Sequence, residues 1–131
     1  MTKQVLVPDE KGRGFARAVR AGQFLFISGM TGQWDLATWE LDPKAVRDVT
    51  YQTRRVFEWV QQVLEKCGLT LKDVVSTTTF LRSMKDLEIV TRVNHEFFPA
   101  GDVASTAVAG LDFVGAGELE INFVAMFPDG K

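Results

Sequence analysis

The chain has only one cysteine, Cys67, and one histidine, His95, in 131 residues. One cysteine excludes an internal disulfide framework and any Cys-rich zinc module. With one histidine, a transition-metal site would need carboxylates in an unusual arrangement. A Ser-His-Asp triad would have to use His95, which reads instead as a partly exposed helix residue beside Asn94 and Glu96. Four prolines and 11 glycines are too few for a disordered or fibrous chain. No apolar run approaches the roughly 20 residues of a membrane span. The stretch from Met1 to Pro8 lacks the apolar core and cleavage-like site of a signal peptide, so the expected compartment is the cytoplasm, with the thiol reduced. Basic excess is missing too. Fifteen Lys and Arg against 17 Asp and Glu give a net charge of −2, which argues against a nucleic-acid or anionic-membrane partner. There is no P-loop, and Gly12-Arg13-Gly14-Phe15 lacks the third glycine and the preceding strand of a dinucleotide fingerprint. Neither a metal nor a cofactor is expected.

A composition of 46% hydrophobic and 24% charged residues describes one globular domain, expected over residues 1–131. Residues 3–7 alternate weakly, as a short edge strand would. Residues 16–20 and 23–28 flank Ala21-Gly22 and read as a hairpin whose second strand is apolar on both faces. Residues 30–42 hold turn formers with Trp34 and Trp39, a loop. Asp42-Pro43 is a helix start. From there Val46, Val49, Thr53, Val56, Val60, Val63 and Cys67 form one stripe on an expected helix of about 25 residues closed by Gly68. Residues 73–81 are rich in β-branched side chains and predict a strand. Ser83 with Asp86 resembles a capping box opening a second helix, with Leu87, Val90, Val93, Asn94 and Phe97 inward and Pro99 at its end. Strands follow at 104–111 and 118–127, the latter alternating strictly. The order β-β-β-α-β-α-β-β predicts an α+β fold with two helices on one face of a sheet. The other face carries few charges. It therefore predicts a homo-oligomer, with Glu120 facing the region between subunits.

In order along the chain, several fragments resemble the Rid (YjgF/YER057c/UK114) family: Ala18-Val19-Arg20-Ala21-Gly22 before Phe24-Leu25-Phe26-Ile27-Ser28-Gly29, Gln52-Thr53-Arg54 with Val56, and Leu71-Lys72-Asp73-Val74-Val75. Thr78-Thr79-Phe80-Leu81, Phe97-Phe98-Pro99 and Leu119-Glu120-Ile121 continue the likeness from about residue 15 to residue 127. The resemblance implies a chorismate-mutase-like protomer and a homotrimer. Its sheets would form a central barrel, with ligand clefts at the three subunit interfaces. It further implies hydrolysis of reactive enamines and imines to a carbonyl compound and ammonia, with no cofactor.

The chain departs from that pattern in three places. Where the family's arginine grips a substrate carboxylate, this chain has Ser105, in Val103-Ala104-Ser105-Thr106. Loss of such a charge-assisted pair removes about 1.5–3 kcal/mol, roughly tenfold to a hundredfold in affinity. Phe15 stands where the family commonly has tyrosine, and Thr91 where it often has asparagine, while Glu120 and the Ser28-Gly29 corner are retained. The expected site is then Glu120 as the catalytic or water-positioning carboxyl, with Phe15, Arg17, Ser28, Gly29, Thr91, Ser105 and Thr106 around the ligand. Each has a plainer reading. Glu120 could accept backbone N–H bonds at a subunit junction, Ser105 and Thr106 could serve close packing, and Arg17 could be a solvated strand arginine. Trp34 and Trp39 could lid the cleft or fasten their loop to the body. The leading expectation is a deaminase of a small imine, enamine or amino-conjugated carbonyl. The alternative is a non-catalytic trimer binding small molecules in the same clefts. Ribonuclease activity, reported for some relatives, fits poorly with the acidic balance and the lack of an aromatic-basic stripe.

Overall fold

The computed structural model describes residues 2–130; the end residues 1 and 131 of the expected domain lie outside it. Strand β1 (Lys3–Pro8) pairs antiparallel with β2 (Ala16–Ala21), which turns directly into β3 (Phe24–Thr31). Ala21 pairs with Phe24 across a two-residue loop whose Gly22 sits at φ 60°, the left-handed conformation such tight hairpins demand. Strands β4 (Val74–Leu81), β5 (Ala104–Ala109) and β6 (Leu119–Met126) complete one six-stranded sheet in the order β1-β2-β3-β6-β4-β5. Helix α1 (Val49–Lys66) connects β3 to β4, and α2 (Leu87–Phe97) makes the crossover that lets β4 and β5 run parallel.

Both helices lie on one face of the sheet. Val56, Phe57, Val60, Val63 and Leu64 of α1 are buried against Leu25, Ile27, Leu119, Ile121, Phe123 and Ala125. Phe57 stacks on Phe97 of α2 at 4.3 Å between centroids and meets Phe123 edge-on at 5.8 Å. The alternation expected in the last strand is present: Leu119, Ile121, Phe123 and Ala125 are buried while Glu120, Asn122 and Val124 are half-buried on the other side.

Two sequence expectations needed correction. The single helix from Pro43 is two elements: a 3-10 turn over Pro43–Ala45, then α1 from Val49. Arg47 at φ 60° breaks the path, and Asp48, extended, caps the new start by accepting from the Tyr51 amide at 2.9 Å. Asp42 caps only the short turn, at Lys44, because its second oxygen takes the Tyr51 hydroxyl at 2.7 Å and Arg55 at 3.0 Å. Ser83 likewise caps a 3-10 turn, Met84–Asp86, before α2 begins, and Asp86 makes no side-chain cap. As the order of elements predicts, β3 is apolar on both faces and the chain covers only one. Phe26 is 50% exposed, and Phe24, Val108 and Met126 are exposed beside it on the helix-free face.

Candidate functional site

The register of β3 against β6 slips between Ile27 and Met30, at Ser28-Gly29. Glu120, opposite Thr31, lays its carboxyl over that slip. A Cβ on Gly29 would lie 2.5 Å from Glu120 Oε2, so only glycine lets the carboxyl settle there. Among the described residues no hydrogen bond reaches the Glu120 carboxyl, and burial alone pushes its pKa up from the usual carboxylate range. The Glu120 carboxyl forms one wall of a cleft of about 550 Å³.

Three segments build the remaining walls. The first runs over residues 9–17. Asp9 is buried and accepts the Arg13 backbone amide at 2.9 Å and its Nε at 3.0 Å, with Arg13 Nη2 on the second oxygen at 2.9 Å. The Arg13 guanidinium holds the Asp9 carboxyl far below the usual carboxylate range. This clamp arches the segment so that Lys11, Arg13, Phe15 and Arg17 all line the cleft.

The second segment carries both loop tryptophans. Trp34 bridges to Leu41 and Asp35 caps Ala37 and Thr38, while Trp39 sits at φ 60°, a conformation bulky residues rarely adopt. Arg55 of α1 ties the loop down by donating to the Trp34 carbonyl while paired with Asp42. Trp34 and Trp39 pack against the core, which fastens their loop to the body, and their side chains also line the cleft.

The third segment is the loop before β6, whose Asp112, Phe113 and Val114 face the cleft. Two buried glutamines hold it. Gln33 donates to Thr31 Oγ1 and the Val114 carbonyl, both at 2.9 Å, and accepts from the Ala116 amide at 2.7 Å. Gln52 joins the loop to α1, and Arg82 donates to the Gly117 carbonyl at 2.8 Å.

Of the residues expected at the site, Phe15, Arg17, Gly29 and Glu120 come together here. Arg17 is buried rather than solvated, paired with Glu10 at 3.1 Å and Asp9 at 3.5 Å. Ser28 donates to the Ala16 carbonyl at 2.6 Å, bracing the hairpin beside a shallow hollow on the open sheet face. Thr91 is exposed on the outer surface of α2, beside Leu87 and Glu88. Ser105 and Thr106 lie on the edge strand β5. Ser105 takes the Thr77 hydroxyl at 3.4 Å on the helix side, and Thr106 shares the open face with Glu120. Within one chain, then, Thr91, Ser105 and Thr106 stand apart from the Glu120 cleft. Lys11, Arg13, Gln33 and Phe113 were not anticipated. The signal in the sequence was the run Lys11-Gly12-Arg13-Gly14-Phe15-Ala16-Arg17, which sets cations at alternate positions on either side of an aromatic. A separate hollow of about 730 Å³ near the C-terminal ends of both helices, at Leu69, Phe97 and Phe98, is apolar with exposed charges only at its rim. It gathers no buried polar group.

The raised pKa of Glu120 has a thermodynamic consequence. A carboxyl that holds its proton more tightly when folded stabilises the fold below its unfolded pKa and loses that contribution as pH rises through the folded one. Glu120→Gln is therefore expected to melt above the wild type at neutral pH, with the gap closing as pH falls through the carboxylate range. Parallel melting curves for the two proteins from pH 4 to 8 would show that the carboxyl is not strained by burial.

The sequence model of the family described as Endoribonuclease L-PSP matches residues 10–127. A RutC family protein of Pyrococcus horikoshii is 34% identical over 98 residues, covering 72% of this chain and 71% of its own length. The 2-iminobutanoate/2-iminopropanoate deaminase of Dermatophagoides farinae is 25% identical over 112 residues, 86% of this chain and 84% of that one. The solved structure of a Rid-family protein of unknown function from Yersinia pestis superposes with a TM-score of 0.83 at 24% identity, covering 95% of this chain and 99% of that one. The α+β, chorismate-mutase-like arrangement is thus shared with solved relatives.

Proposed function

The chain belongs to the Endoribonuclease L-PSP family, which takes in the Rid and YjgF proteins, and on that premise we propose that it is a hydrolytic deaminase of an imine or enamine conjugated to a carbonyl group. The observation carrying this reading is the Glu120 carboxyl: half-buried, without a hydrogen-bond partner among the described residues, and set on the wall of a cleft with room for a ligand. A carboxyl so placed takes a proton from water as the water oxygen bonds to the imine carbon and the C=N π bond opens onto nitrogen. The same group passes that proton to nitrogen. It then moves the hydroxyl proton of the carbinolamine to nitrogen as C–N breaks, releasing ammonia and a carbonyl. Water is the only co-reactant.

The exposed face of Phe24, Phe26, Val108 and Met126 favours a homotrimer closed around these sheets. In that assembly the edge strand β5 of a neighbouring copy, which carries Ser105 and Thr106, would border the Glu120 cleft. Light scattering at micromolar concentration is expected to give three times the chain mass; a monomer would remove the assembly and the shared cleft.

The catalytic reading is tested by ammonia release from 2-iminobutanoate generated in situ. The wild type is expected to exceed the spontaneous rate, and Ser105→Arg to lower KM by roughly tenfold to a hundredfold. Acceleration seen only in the arginine variant would count against native imino-acid deamination. It would favour the second reading, a non-catalytic binding trimer, which the absence of a guanidinium at Ser105 and of a hydroxyl at Phe15 supports. RNA cleavage is the weaker reading because Arg13 and Arg17 are engaged by Asp9 and Glu10 and the net charge is −2.

A further inference from the structure

The cleft contains a cation whose hydrogen-bonding capacity is incompletely used. The Arg17 side chain is only 7% exposed and lines the cleft that Glu120 lines. Its contacts with Glu10 and Asp9 both go through Nη2, while Nε is buried with no acceptor among the described residues. Buried donors are nearly always satisfied, so an orphan in a cleft wall is an opening for a ligand acceptor. Lys11 and Arg13 differ. Both are exposed, and Arg13 already grips Asp9 through three hydrogen bonds.

The surroundings of Arg17 define the ligand. Its guanidinium carbon lies 4.6 Å from the Trp39 ring centroid, 5.9 Å from Trp59 and 6.0 Å from Phe15. Rings on several sides fix the plane of the fork and exclude water, which strengthens any charge interaction made there. Asp9 and Glu10, which balance the charge, are not among the residues lining the cleft. Trp34 and Phe113 add further flat apolar surface. A volume of about 550 Å³ falls in the range of pockets that enclose ligands much larger than a three-carbon acid.

We propose that Arg17 is the carboxylate anchor of this cleft, replacing the cation missing at Ser105, and that it selects a planar, conjugated carboxylate lying against Trp34 and Trp39. This deepens the deaminase reading by naming its substrate class: an extended, unsaturated amino or imino acid. Trp39, strained at φ 60°, is the ring beside the guanidinium, and it shifts to admit the ligand's oxygen to Nε. Glu10, on an exposed side chain, is the competing carboxylate.

The test is binding of trans-cinnamate, which carries a flat conjugated carboxylate and cannot be deaminated, read by tryptophan fluorescence and calorimetry. Cinnamamide is the neutral control and propionate the small one. Cinnamate is expected to bind well ahead of both. Arg17→Gln should weaken cinnamate roughly tenfold to a hundredfold and leave cinnamamide unchanged. Should Arg17→Gln unfold, Arg17→Lys keeps the charge beside Asp9 but loses the fork, and it should weaken cinnamate by about tenfold. Glu10→Gln should tighten cinnamate by about twofold to fivefold, since it removes a competitor. A purely structural Arg17–Glu10 pair would make Glu10→Gln weaken binding as the arginine variants do, and that result overturns the proposal, as does equal affinity for cinnamate and cinnamamide. Arg17-dependent cinnamate binding without ammonia release from any imine would sink the deaminase reading and leave the anchor standing. Ammonia release indifferent to Arg17→Lys would do the reverse.

Discussion

Glu120→Gln is expected to lower kcat/KM for ammonia release from 2-iminobutanoate by about 10²–10⁴-fold, the usual contribution of a positioned general acid–base. Glutamine keeps the volume over Gly29 and can hold a water, but it cannot take a proton from that water or return one to nitrogen. The loss should therefore appear in kcat, with KM changed little. The neutral-pH stability of the variant should rise, as derived above, so lost activity cannot be laid to unfolding. A decrease of less than about threefold would show that water addition does not run through this carboxyl.

Gln52→Leu is expected to cost about 3–5 kcal/mol of folding stability, one of the larger effects a single substitution can produce. Gln52 is fully buried near the start of α1 and serves three backbone groups from two separate segments. Its Nε2 donates to the carbonyls of Ala45 and Ala116, both at 2.9 Å, and its Oε1 accepts the Glu118 amide at 2.8 Å. Leucine would fill the space and leave those three groups buried without partners, and no repacking supplies a donor and an acceptor together. The helix start also packs directly on the exit of β3: a Cβ on Gly32 would lie 1.9 Å from the Gln52 carbonyl oxygen, so only glycine fits there. Because Ala116 and Glu118 belong to the loop that carries Phe113 and Val114, the variant should also loosen the cleft. Denaturant unfolding with an unchanged m-value and a midpoint shift worth less than about 1 kcal/mol would overturn this account.

How much of this was legible in the sequence depends on whether the cue was local. The hairpin at Gly22, the alternation from Leu119 to Ala125 and the stripe from Val56 to Val63 each show as periodicity, because burial on one face repeats at the period of the element itself. The first helix was read as starting six residues too early for the same reason. The stripe continues back through Val46 and Val49, and nothing in that pattern reveals that Arg47 turns to φ 60° or that Asp42 is drawn away to Tyr51 and Arg55. Gln52 stood in a fragment that marks the family likeness, yet its role was invisible, since its three partners lie 7, 64 and 66 residues away.

The sequence by itself determined the α+β order of elements and the family, because each depends on residue type at a spacing the chain carries along its length. Only the tertiary structure decided that Arg17 is buried among aromatic rings with an unsatisfied donor, and that Lys11, Arg13, Trp34, Trp39 and Phe113 share one cleft with Glu120. It also decided that Thr91, Ser105 and Thr106 sit apart from Glu120 within a chain. The physical reason is that a side chain's solvation and partners are set by segments distant along the chain, which fold over it and leave no periodic trace in its own neighbourhood.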